Sequence, residues 1–182
     1  MKKLLAAGML MLLSACSSTP DYDYDKSVNF SEYKTFAWFP NASLTKGTAN
    51  YQISELMERR VQQAVNDELA AKGMQLVDAA QADVLINYHA SVETKVDVDT
   101  FSSGYSARWD YWGIGYNVQT TTREYEVGTL VLDVIDKESN QLVWRAAKEG
   151  RLKKNQSPTE REVVIRESVA EILSHYPPQA NQ

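Results

Sequence analysis

The 182-residue chain has one cysteine, Cys16, and two histidines, His89 and His175. A single cysteine leaves no pair for an internal disulfide, so stability must come from packing. Neither histidine stands in a metal-ligand spacing such as His-Glu-x-x-His, and there is no Gly-rich phosphate loop and no nucleophile elbow. Positive charge is also scarce. Nineteen Lys and Arg face 24 Asp and Glu, a net charge of −5, and no basic cluster offsets it. That excludes a phosphate-backbone partner such as nucleic acid. Long apolar runs are missing too: the run from Leu4 to Leu13 has ten residues, and a bilayer span needs about twenty.

What is present begins with that short run. Lys2 and Lys3 precede it and Leu13-Ser14-Ala15-Cys16 closes it with small residues, the layout of a cleaved signal. The stretch resembles the lipobox of bacterial lipoproteins. The resemblance implies a diacylglycerol on the Cys16 thiol, cleavage between Ala15 and Cys16, and a further palmitate-type chain on the new amino terminus. Each buried methylene contributes about 0.8 kcal/mol, so one chain binds marginally while two or three hold. In this class an Asp after the cysteine commonly favours the inner membrane. Ser17 therefore implies the outer membrane, with the domain facing the periplasm. Once Cys16 is acylated, no thiol remains for a metal site or a nucleophile. The expected organisation is a cleaved signal peptide over 1–15, a lipidated tether over 16–21, one α/β domain over 22–178 and a disordered tail over 179–182. Loss of Lys2 and Lys3 leaves 17 basic against 24 acidic residues, a net charge of −7.

Within the domain, Tyr33 to Phe39 is rich in aromatics and stopped by Pro40, which predicts a strand. Over 51–72 the apolar residues Ile53, Met57, Val61, Ala64, Val65 and Leu69, with Leu56 beside them, recur at helical spacing. Asn50 is the expected cap, and Gly73 supplies the left-handed residue that ends the helix. Met74 to Val77 reads as a short strand. From Val84 to Asp99 apolar and polar residues alternate for sixteen positions, roughly 50 Å of strand. The typical strand has about five or six residues, so the far half is expected to project past the sheet. A second long strand begins near Val118 and runs through Ile135, pairing with the first as an antiparallel hairpin. Another strand starts at Leu142. Ser157-Pro158-Thr159-Glu160 is a capping box with Pro at the first helical position, and Ile165, Val169, Ile172, Leu173 and Tyr176 give the helix its apolar side. The fold class expected is α/β (α+β): a two-layer sandwich with a mostly antiparallel sheet, covered on one face by two amphipathic helices, and a long projecting β-hairpin.

The order of several residues is familiar. Tyr24-Asp25, Phe30, Tyr33, Thr35, Phe36 and Trp38 open the domain. Lys72-Gly73, Ala82-Asp83, Tyr88 and Gly128-Thr129-Leu130 follow, then Asp136, Leu142-Val143-Trp144-Arg145 and Tyr176-Pro177-Pro178. Taken together this resembles the bacterial lipoproteins grouped as domain of unknown function 4136. The resemblance implies a lipid-anchored envelope protein of one α/β domain and supplies no catalytic residue. Its members often carry Gly where this chain has Ala146.

The chemistry available is thin. His89 falls on the polar side of a strand between Asn87 and Ser91, and His175 in the last turn of the final helix. Glu93, Asp97 and Asp99, or Glu124 and Glu126, are the carboxylates that could pair, but on a projecting ribbon nothing desolvates them or separates their pKa values. One segment stands out. Phe101 to Asn117 holds six of the eighteen aromatics in seventeen residues, with Gly104, Gly113 and Gly115 among them. Aromatics and Arg on adaptable backbone are what binding surfaces use. Trp109, Tyr111, Trp112 and Tyr116 are accordingly the candidate partner-binding residues; the alternatives are rings folded back on the open face of the sheet or dipping into the membrane. The expected function is non-enzymatic: an outer-membrane lipoprotein binding an envelope protein or a small apolar ligand through this hairpin. An accessory subunit of a lipid or envelope-polymer transport complex is the second reading, and a cell-wall hydrolase the third. No cofactor, no metal and no particular oligomeric state is implied.

Overall fold

A strand that alternates apolar and polar residues gains from pairing only if something lies across its apolar side, and here two helices do. The computed structural model describes residues 19–40, 54–102 and 118–178, with 99–102 and 118–120 described through their backbone alone. The elements are β1 (Asp21–Tyr24), a 3₁₀ turn at Phe30–Glu32, β2 (Thr35–Trp38), α1 (Glu55–Ala71), β3 (Gln75–Leu76), β4 (Val84–Ser102), β5 (Val118–Asp136), β6 (Leu142–Arg151) and α2 (Pro158–Leu173). The six strands form one sheet in the order β1-β6-β5-β4-β2-β3. β2 runs parallel to both β3 and β4, and every other pairing is antiparallel. The chain is a mixed α+β domain with an open sheet and two helices, as the sequence predicts.

Both helices start where local chemistry places a cap. The Ser157 hydroxyl accepts from the Glu160 amide at 3.2 Å and the Glu160 carboxylate accepts from the Ser157 amide at 2.7 Å, the predicted box. α1 is capped by Ser54, which accepts from the Met57 amide, and not by Asn50. A serine at this position satisfies one of the orphan amides of the first turn as well as an asparagine would. Gly73, at φ 86°, ends α1 in the left-handed region. Leu56 is exposed, on the side of the helix away from the sheet.

The core lies between helices and sheet. Cross-strand registers align Ile86 with Val134 and Tyr88 with Leu132, then Val134 with Trp144 and Leu132 with Ala146. All of these are buried, and they meet Val61, Ala64, Val65 and Leu69 of α1 and Ile165, Val169, Ile172 and Leu173 of α2. Each such side chain contributes about 1.5–3 kcal/mol on burial. Aromatic rings lock one end: Trp144 meets Tyr176 edge-on at 5.3 Å, and Phe30 meets both Tyr24 and Tyr176 at 6.0 Å.

Two details depart from the sequence reading. Asp21 to Tyr24 forms β1, an edge strand pairing Tyr24 with Trp144, where no strand was expected. Its alternation is the period of a strand: Tyr24 is half-buried against the core, Tyr22 stacks on His175 at 4.4 Å while still 44 % exposed, and the aspartates are exposed. α2 ends at Leu173, so His175 lies beyond the helix and not in its last turn. Its ring sits under Tyr22, which a helix dipole would not have required.

Candidate functional site

Nineteen residue pairs join β4 to β5, from Val84↔Asp136 to Ser102↔Val118. The neighbours of this ladder stop much sooner. β2 accompanies β4 only over Val84 to Ile86, and β6 accompanies β5 as far as Val127. From Thr94↔Glu126 onward nine pairs form a two-stranded arm, roughly 30 Å long at strand rise. Val96 and Val98, on the side that continues the core stripe, are 52 % and 60 % exposed. The opposite side is laced by charge: Lys95 Nζ donates to Glu149 at 3.2 Å, and Arg151 Nη2 to Asp97 at 2.9 Å. The Arg151 guanidinium also lies 3.7 Å over the Tyr125 ring.

The sheet face away from the helices carries a polar row. Register aligns Asp23, Arg145, Asp133 and Asn87 across four strands. Asp133 is buried, and Arg145 grips it with both Nε at 2.6 Å and Nη2 at 2.9 Å. His89 Nε2 lies 3.3 Å from the same carboxylate and 3.1 Å from Asn87 Nδ2. The histidine is thus on the polar face with Asn87 beside it, as the alternation predicts.

A cavity of about 330 Å³ opens on the helix side, where both helices begin and the arm leaves the sheet. Its floor follows from one register pair. Gly128 of β5 lies opposite Gly150 of β6, so two adjacent positions facing the helices have no side chain. Met57, Val61, Val92, Leu130, Leu152 and Ile165 wall it, and Arg60, Lys148, Lys153, Lys154 and Arg161 stand around it with Glu126 as the one acid. Isolated glycines in strands signal a bulge or close approach, but only the register shows that these two meet. A shallow hollow of about 610 Å³ on the opposite side is lined mainly by Leu76 to Ala79.

Cys16, Ala15, Trp109, Tyr111, Trp112 and Tyr116 lie outside the described residues. The two sets of carboxylates considered as pairs lie on opposite faces of the hairpin. Glu93 and Asp97 share one face of β4, while Glu124 and Glu126 are aligned with Val96 and Thr94 and belong to the other. Where carboxyl groups are shifted, they are shifted down. Asp83 accepts from the Lys34 and Thr35 amides, Asp136 from the Ser139 hydroxyl and amide, and these bonds favour the ionised form. Tyr33, which donates to Asp136 at 2.9 Å, is pushed up by burial and by that bond. Among the described residues no group of three or more His, Cys, Asp or Glu is placed to hold a metal, and no helix is long and apolar enough to cross a membrane.

The model of one family, described as Domain of unknown function (DUF4136), matches residues 20–178. No curated protein matches the chain in sequence. Among solved structures it is similar to a DUF4136 family protein from Bacteroides thetaiotaomicron, with a TM-score of 0.50 at 16% identity over 87% of this chain and 95% of that one. A variant PelC dodecamer from Paraburkholderia phytofirmans gives 0.50 at 15% identity, over 90% and 98%. A PDZ domain protein from Parabacteroides distasonis gives 0.51 at 15% identity; 88% of this chain is covered but only 36% of that one, about a third of its length. At such identities the likeness is one of fold.

Proposed function

The chain belongs to the DUF4136 family, and from that premise we propose that it is a lipid-anchored outer-membrane protein that binds and does not catalyse. Cys16 carries the acyl chains, the domain faces the periplasm, and the two-stranded arm carries Trp109, Tyr111, Trp112 and Tyr116 to a second envelope protein. The observation that carries this reading is the arm itself. Nine strand pairs run on without a flanking strand among the described residues, with exposed Val96 and Val98 on their surface, and in sequence they lead directly into the aromatic segment. A free two-stranded ribbon is marginal in water, so one that holds Val96 and Val98 in the open among Glu124, Glu126 and Thr122 has a use for being kept.

Photo-crosslinking from position 109 or 112 in intact cells tests the arm. A discrete protein adduct is expected, and it should vanish when Trp109 and Trp112 are both changed to Ala while the melting temperature stays within a degree or two. If that double variant instead loses about 3–5 kcal/mol of stability, the rings are part of the domain's own packing. The anchor has its own test: Cys16→Ala should leave an uncleaved precursor absent from outer-membrane fractions, and Ser17→Asp should move the protein to the inner membrane.

A further inference from the structure

The cavity at the base of the arm is separate from the aromatic segment, and its two halves differ in chemistry. Val61 and Ile165 in its wall are buried, and Met57, Leu130 and Leu152 extend the same apolar surface. Its mouth is cationic in a chain whose net charge is −5. Lys148 is already engaged, its Nζ paired with Glu171. Arg60, Lys153, Lys154 and Arg161 form no ion pair with another described residue. An apolar wall of this kind excludes a bare anion as the best occupant. Four cations without an ion pair among the described residues, of which Lys153 alone feels a nearby carboxylate, that of Glu160, disfavour a neutral hydrocarbon.

We propose that this cavity binds an anionic amphiphile, a single acyl chain with a carboxylate or phosphate head. The chain lies against Val61, Leu130, Leu152 and Ile165 over the Gly128–Gly150 floor, and the head is met by Arg60, Lys153, Lys154 and Arg161. The size fits. At roughly 30 Å³ per water-sized group, about 330 Å³ holds on the order of ten non-hydrogen groups, a chain of medium length. Ligand pockets start at about 300 Å³. The glycine pair is what keeps the space open. A Cβ on Gly150 would meet nothing within 4 Å, whereas one on Gly128 would sit 3.1 Å from a methyl of Leu152. A larger residue at 150 can therefore fill the cavity without disturbing the ladder.

The test uses the full chain in zwitterionic nanodiscs and decanoic acid carrying a terminal diazirine. After irradiation, label is expected on peptides containing Val61, Leu152 or Ile165. Decanoate and decyl phosphate should compete; decanol and inorganic phosphate at the same concentration should not. Gly150→Leu should cut labelling by about tenfold or more at an unchanged melting temperature, and the exposed pair Lys154→Glu with Arg161→Glu should do so by about tenfold through the head group alone. Equal competition by decanol would overturn the anionic head, and competition by inorganic phosphate would make this an ion site. Absence of label, or undiminished label in both variants, would overturn the proposal.

Discussion

Val84, Ile86 and Tyr88 stand on the same strand, the same face and the same alternation as Val96 and Val98. The first three are 2 % exposed or less, and the last two are more than half exposed. Nothing in the strand itself separates them. β4 and β5 stay paired in one register throughout, so hydrogen bonding is continuous across the boundary. What changes is the company. The inner half has β2 and β6 at its sides and two helices above; the outer half, among the described residues, has only its partner strand. Periodicity therefore states which way a side chain points, while burial is decided by elements distant in sequence. In the outer half β4 keeps its alternation while β5 sets Glu126, Glu124 and Thr122 beside it, and the two exposed valines among them are the reason to look for a partner there.

The comparison is broken most severely from the inside. Ile86→Asp would bury an unpaired carboxylate beneath α1 and α2, which costs several kcal/mol, comparable to the whole stability of a small domain. Loss of a cooperative urea transition is the expected result; a normal transition would mean the helices do not cover this strand. Trp144→Ala should cost about 3–5 kcal/mol, read from the same transition, because Trp144 is fully buried against Tyr176.

The polar face gives smaller effects. Arg145→Ala leaves the buried Asp133 with one partner fewer, and since Arg145 is itself half exposed a loss of about 1–3 kcal/mol is expected. Asp83→Asn should cost about 1 kcal/mol by weakening the two amide bonds that hold β2 at the start of β4. Its signature is a pH dependence. The folded carboxyl is held below its usual value by the Lys34 amide bond first, against the raising effect of burial. A depressed value means the stabilisation is fully present above about pH 3.9, the unfolded value, and is lost as pH falls through the folded one. Melting temperature should therefore fall less steeply with acid in Asp83→Asn than in wild type.

How much of this was legible in the sequence varies with the range of the interaction. The start of α2 was readable because Ser157 and Glu160 complete each other within one turn. The end of α1 was readable because Gly73 is the residue a positive φ favours. The start of α1 was less so, since Asn50 and Ser54 are both good caps and the choice depends on where the helix meets the sheet. β1 was missed because four residues of alternating Asp and Tyr look polar until Trp144 and His175 are known to be waiting for the rings. The cavity was invisible for a stronger reason. Gly128 and Gly150 are 22 positions apart, and they become neighbours only through the β5/β6 register. The bidentate grip of Arg145 on Asp133 depends on the same register. Cys16 and the four aromatics are legible as motifs, and they lie outside the described residues.

The smallest expected effect is the one that sharpens the comparison. Val96→Asp repeats the Ile86→Asp change ten residues along the same face. Here the side chain is 52 % exposed and sits opposite Glu124, so the charge remains hydrated. Substitutions at such positions usually stay within about 0.5 kcal/mol; the like charge across the ladder adds a few tenths at most in water. The urea midpoint should barely move, and the slope of the transition should not change. A second reading from the same variant then gives the outcome meaning. If the arm docks on a protein, Val96→Asp should weaken crosslinking from position 109 while leaving stability alone, because the charge would have to be desolvated in the complex. A loss of more than about 1 kcal/mol in the isolated protein would show instead that the outer stripe is covered within the folded chain, and the contrast between the two halves of β4 would disappear.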